Sequence, residues 1–244
     1  VGDSTAIYSS NLTLFSEQLI CDFQMSDEVA PQPLEVVIYD SRQKSFVLLD
    51  MKRKVRTEIS DLQIEKLVEN LANETQKNEA SKFLMSETFV EETDWANGTL
   101  TLKGENMEYF IRGNQPDDTA FLPQYFSFLD NFTKLNATDP RKIPPFPRMK
   151  LNQRIKQLGW VPVEVRVTLK ANQFFRENRE AQSKHTLTGG LTRGDRELIS
   201  NAKRDWQAFK VVELTEFREV QANSNQFANK SEEEVRAIPS IPRQ

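Results

Sequence analysis

The sequence predicts an α+β fold, a mainly antiparallel sheet with three to four amphipathic helices packed on it. Three observations carry that expectation. Val161–Leu169 alternates Val161, Val163, Val165, Val167 and Leu169 against Pro162, Glu164, Arg166 and Thr168, the period of two that a half-buried strand requires. Ala96-Asn97-Gly98 separates two strand-like runs, and Asn-Gly accepts the positive φ of a tight hairpin. Ile64, Leu67, Val68 and Leu71 fall at helical spacing after Ser60 and Gln63, a capping-box pair.

The remaining elements follow in order. Residues 5–15 and 19–25 are rich in β-branched and aromatic side chains and read as strands. The segment 27–33 holds two prolines and reads as a loop. LEVVIY (34–39) is apolar on both faces, as a central strand would be. A turn at 41–44 leads to SFVLLDM (45–51), and 55–59 follows with Val55, Thr57 and Ile59 on one face, completing a meander of hairpins. The helix beginning at Ser60 runs to Lys77.

A second strand group covers 87–95, 99–103 and 107–112. Residues 121–135 read as an aromatic-rich helix with Leu122, Tyr125, Leu129 and Phe132 on one face and Phe126 and Phe128 flanking it. PRKIPPFP (140–147) reads as a stiff linker, because proline fixes φ and blocks helix continuation. A short helix over 148–158 ends at Gly159. Pro162 suggests a strand end or an edge for the strand that follows. Residues 184–191 read as a strand interrupted by Gly189-Gly190. Thr192 and Asp195 form a second capping-box pair, ahead of a helix with Leu198, Ile199, Ala202, Trp206 and Phe209 inward. A last strand is expected over 211–217. The domain division is one β-rich domain over 1–220 and a polar tail, expected to be disordered, over 221–244.

Composition excludes several function classes. The chain has 244 residues, 38% hydrophobic and 28% charged, with a formal net charge of −4. Such a balance leaves no strong field to draw in nucleic acid or an anionic membrane. No apolar run approaches the roughly 18 residues of a membrane helix. Starting at Val1 rather than Met, the chain reads as a processed or trimmed product. Its one cysteine, Cys21, rules out an intramolecular disulfide and reads as a buried apolar residue.

No constellation of catalytic or metal-binding residues stands out. The one histidine, His185, lies in SKHT and reads as a surface or strand-pairing residue rather than a catalytic base. The eight glycines form neither G-x-G-x-x-G nor a P-loop. Asp40 and Asp50 flank a hairpin, and Glu91, Glu92 and Asp94 precede another, so a glycosidase-like carboxylate pair stays open beside the simpler role of strand ends and turns. Lys52, Arg53, Lys54 and Arg56 form a basic cluster that reads as a charged turn, with a phosphate or acidic partner as the alternative. N-x-S/T triplets begin at Asn11, Asn73, Asn97, Asn131, Asn136 and Asn229 and read as coincidental.

The phrases VIYDSRQKSFVLLDMKRKVRTEIS (37–60), PPFPRMKLN (144–152) and WVPVEVRVTL (160–169) resemble a family of exported proteins from planctomycete bacteria. The first of them also looks like the strand meander of lipoprotein-carrier half-barrels. That resemblance implies a curved, half-barrel-like sheet whose hollow is plugged by the helices at 60–77 and 121–135. It further implies an exported, periplasmic or envelope location.

Three functional expectations follow. The first is a non-enzymatic domain that binds an apolar ligand or lipidated partner, with Phe121, Tyr125, Phe126, Phe128 and Phe132 lining the site. The second is an envelope interaction domain without a small ligand. The third is a hydrolase built on a carboxylate pair. No cofactor, metal or nucleic-acid partner is expected.

Overall fold

The computed structural model of the chain describes residues 10–26, 28–78, 81–139, 142–171 and 178–218. The chain divides into two compact units. One comprises Val1–Ser60 with Leu191–Gln244, and the other is Asp61–Gly190. The expected tail over 221–244 and the start of the 5–15 strand lie outside the described residues.

The first unit is built on a six-stranded sheet. Five strands follow one another as a meander: β1 (Ser10–Phe15), β2 (Leu19–Met25), β3 (Pro33–Asp40), β4 (Ser45–Asp50) and β5 (Val55–Ser60). All four successive pairings are antiparallel. The register sets Cys21, Ile38 and Val47 side by side and Phe23, Val36 and Leu49 beside them, all buried. Helix α5 (Arg193–Ala208) covers this face with Ile199, Ala202, Leu198 and Trp206. Its start is the expected capping box: the Thr192 hydroxyl accepts from the Asp195 N–H at 3.1 Å, and the Asp195 carboxylate accepts from the Thr192 N–H at 2.7 Å. The opposite face is equally apolar, with Tyr39 and Phe46 at a centroid distance of 4.7 Å.

A last strand over 211–217 does not form. Only Lys210–Val211, β11, pairs with the sheet, parallel to β5, and residues 214–218 are helical. An apolar run this short carries no reliable period, so the pattern that suggested a strand also fits a helical turn burying Phe217.

The second unit carries a five-stranded antiparallel sheet in the order β10-β9-β8-β7-β6. Its strands are β6 (Val90–Asp94), β7 (Thr99–Lys103), β8 (Met107–Asn114), β9 (Val161–Leu169) and β10 (Arg179–Lys184). Gly98 takes φ +61° in the β6–β7 hairpin, as the Asn-Gly pair requires. One face is apolar in rows: Leu100, Ile111 and Val165, then Leu102, Tyr109 and Val167. The helices are α1 (Asp61–Lys77), α2 (Phe83–Ser86), α3 (Leu122–Leu135) and α4 (Phe146–Leu158). Each packs on two of the others, α1 and α4 both on α2 and on α3. The Arg154 guanidinium of α4 grips Glu91 of β6 with two bonds of 2.6 Å, on the face that holds Leu102 and Tyr109. Gly159 closes α4 in the left-handed conformation.

The half-barrel expectation is overturned. There are two separate open sheets, neither curled into a barrel, and the α1 and α3 helices belong to the unit with the second sheet, not to the meander of 10–60. Alternation specifies which neighbours pair in a hairpin, but not which hairpins join one sheet. Here β5 is followed in space by β11, not by β6.

Two smaller corrections concern β9 and β10. Strand β9 is interior, so of the two readings of Pro162 the strand end holds and the edge does not: it is the second residue of β9 and sits opposite Gly113 at a register shift. Its alternation is also broken: Glu164 is buried and Val163 is exposed. Glu164 tolerates burial because Gln182 donates at 2.6 Å and Arg112 and Arg166 each lie at 3.0 Å. Strand β10 lies just before the expected 184–191, and the residues around Gly189-Gly190 are irregular.

Candidate functional site

The aromatic helix and the start of α4 meet in the second unit. Phe121, at the N-cap of α3, and Tyr125, Phe126, Phe128 and Phe132 within it form a connected series of rings. Tyr125 lies 6.2 Å from Phe121, 5.8 Å from Phe126 and 6.4 Å from Phe128, and Phe128 lies 4.4 Å from Phe132. Tyr125 and Phe126 are buried, and the other three are half-buried. The structure thus places all five residues expected to line a ligand on one helix. It adds a charged neighbour that the sequence reading did not single out.

That neighbour is Arg148, in the first turn of α4. Its Nε donates to Asn152 Oδ1 at 3.0 Å. Asn152 is itself buried and donates from Nδ2 to Leu129 O and to Thr133 Oγ1, both at 3.0 Å. So α3 holds Asn152, and Asn152 fixes one edge of the guanidinium. The Nη groups make no hydrogen bond or ion pair with the described residues, and neither is sealed from solvent.

The groups that feel the Arg148 charge are Tyr109, Tyr125 and His185. Tyr109 projects from the apolar face of β8, is 5% exposed and meets Phe89 edge-on at 6.1 Å. Its hydroxyl has no protein partner among the described residues and is not sealed. Burial pushes both tyrosine hydroxyls up to about 12, against the opposing pull of Arg148. His185 continues β10, where its N–H donates to Val163 O at 2.9 Å and its Nε2 lies 2.9 Å from Ser183 Oγ. Burial, then the Arg148 charge, lowers the His185 pKa and keeps the ring neutral.

Burial likewise lowers the Arg148 pKa, and among the described residues the groups that act on it are Tyr109 and Tyr125. By surface area Arg148 is only half-buried and His185 is exposed, yet desolvation leads the causes of both shifts. A desolvated cation is costly, and the usual solution is a paired carboxylate. Nη groups that have no partner among the described residues can take an anion.

The other sequence candidates have structural tasks. Asp40 and Asp50 accept from backbone N–H groups in the turns after β3 and β4. Asp94 does the same in the Asn97-Gly98 hairpin, Glu91 pairs with Arg154 and Glu92 with Lys103. In the basic cluster, Arg53 reaches Asp50 and the Phe217 carbonyl, and Lys54 takes φ +53° in the turn. Among the described residues, no group of three or more His, Cys, Asp or Glu gathers as a metal site would, and no helix is long and apolar enough to cross a membrane. A scan against protein-family models, a search of curated proteins and a search of solved structures each find no match to this chain.

Proposed function

We propose that the second unit is a binding module for a small anion, centred on the Arg148 guanidinium. One observation carries the proposal: the half-buried Arg148 guanidinium is held through Nε by the Asn152 amide, while its Nη groups have no partner among the described residues. His185 and Ser183 mark the side on which β10 is exposed along its whole length. A bound anion would stabilise the fold, because it binds the native state and not the unfolded chain.

The test is thermal unfolding of the full chain with increasing sodium acetate, phosphate or sulfate, at constant ionic strength set with chloride. At least one anion is expected to raise Tm in the wild type and to leave Arg148→Gln unmoved. Equal shifts in both proteins, or none in either, would refute the assignment.

A further inference from the structure

We propose that β10 is a self-association edge, pairing antiparallel with β10 of a second copy of this chain about a two-fold axis at Gln182. The pairing does not involve Arg148 and stands independently of the anion reading.

The backbone supplies the first reason. Strand β10 ends its sheet, with β9 as its one neighbour among the described strands, and all six of its residues are exposed. The His185 N–H, just past the strand, donates to Val163 O at 2.9 Å. Peptide groups alternate in direction along an antiparallel strand, so His185, Ser183, Ala181 and Arg179 turn theirs toward β9. Glu180, Gln182 and Lys184 turn their N–H and C=O groups outward, where a further strand would meet them. An axis through Gln182 sets that residue opposite Gln182 of the second copy, and Glu180 opposite Lys184 of the second copy, twice. All of these are hydrogen-bonded pairs, with about six backbone bonds in total.

The side chains supply the second reason. Glu180, Gln182 and Lys184 stand opposite Thr168, Arg166 and Glu164, so they share the polar face of the sheet. Gln182 Nε2 donates to Glu164 at 2.6 Å, and Glu180 lies 3.6 Å from Arg166 Nε. Charge on an edge strand ordinarily discourages pairing. Here the charges are self-complementary: the two-fold axis brings each Glu180 against a Lys184 on one face. On the other face Ala181 meets Ser183, and neither is large enough to obstruct the approach. Moving the axis to Ala181 or Ser183 keeps the ladder but separates Glu180 from Lys184. The charges therefore select one register as well as one partner.

The sheet's other edge makes the contrast. Strand β6 (VEETD) carries three carboxylates and no cation, so self-pairing there would gather like charge.

A single strand pair buries less than the roughly 1,000 Å² of a stable interface, so the dimer is a weak one, with Kd on the order of 100 µM. The experiment is sedimentation of the full chain from about 10 µM to about 1 mM, which brackets that Kd. The wild type is expected to pass from monomer to dimer. Glu180→Lys and Lys184→Glu each turn both attractive pairs into repulsive ones and should weaken the dimer about tenfold. The double variant Glu180→Lys/Lys184→Glu restores both pairs and should associate as the wild type does. An equimolar mixture of the two single variants should associate more tightly than either variant alone. Gln182→Pro removes an outward N–H, leaves every backbone bond to β9 and should abolish the dimer. Circular dichroism checks the fold of each variant. If Lys184→Glu, which faces Glu164 across the ladder, is unfolded, Glu180→Lys and Gln182→Pro carry the test. A wild type that stays monomeric at about 1 mM overturns the proposal, whatever other extended peptide β10 takes. A dimer that Gln182→Pro and the charge reversals leave unchanged also overturns it, because the contact then lies elsewhere.

Discussion

Asn152 holds Arg148 through a 3.0 Å bond from Nε while its own amide group is anchored on α3 at Leu129 and Thr133. One buried side chain therefore joins two helices and orients the proposed ligand-binding cation. Asn152→Ala would leave the Thr133 hydroxyl without that donor and the guanidinium without its guide, while Leu129 O keeps its place in the α3 ladder. The expected loss is about 1–3 kcal/mol of stability, read by urea denaturation, the cost of one orphaned buried polar group. A change within a few tenths of a kcal/mol would mean that the bridge is not made in solution.

Gly104 gives a steric prediction. A Cβ there would collide with Glu87 Oε1 and lie 2.8 Å from two carbons of the same side chain. Glu87 is buried and bound to the Asn106 N–H at 2.8 Å and to Asn106 Nδ2 at 3.0 Å, so it cannot swing aside freely. Gly104→Ala should cost about 1–3 kcal/mol, as overpacking does. Combined with Glu87→Ala the two losses should be less than additive, because the second substitution removes the atoms that clash. Strict additivity in the double-mutant cycle would count against this account.

His185 gives the pH dependence a sign. Its native pKa is lowered from 6.5. As the pH falls, the unfolded chain therefore takes up the proton first, and stability drops through the window below about 6.5. His185→Gln should flatten that part of the stability–pH curve, measured as Tm between pH 7.5 and 5.5. Identical slopes for wild type and His185→Gln would remove His185 as the cause.

Cys21 offers a simple probe of the first unit. It is fully buried in the β2 strand, and burial pushes its thiol up to about 12. The native chain should resist iodoacetamide at pH 8, and urea should expose the thiol in step with unfolding, since only the thiolate reacts. Rapid labelling of the native protein would show that the α5 helix leaves the sheet readily.

Much of the local structure was legible. The bounds of β2, β7 and β9 and the Thr192–Asp195 box follow from period and side-chain chemistry alone, since both act within a few residues. Two kinds of feature were not. Sheet membership depends on partners far apart in sequence: β11 joins β5, and β9 crosses to β8 after two helices. The candidate site was half legible. The α3 rings stand out as a stripe, but Arg148 draws its meaning from Asn152 and from Tyr109 on β8. One local clue was present. A cation in the first turn of a helix opposes the helix dipole, which favours anions there, and such broken local rules gather at functional positions.

The connectivity of the first unit bears on how the protein is made. Strands β1 to β5 are complete once Ser60 is translated, yet the helix that seals Cys21, Ile38 and Val47 starts only at Arg193. About 130 residues are synthesised between them. At roughly 5–20 residues per second that is on the order of ten seconds. During that interval the nascent meander carries a greasy face awaiting its lid, the period in which it would most need a chaperone's shelter.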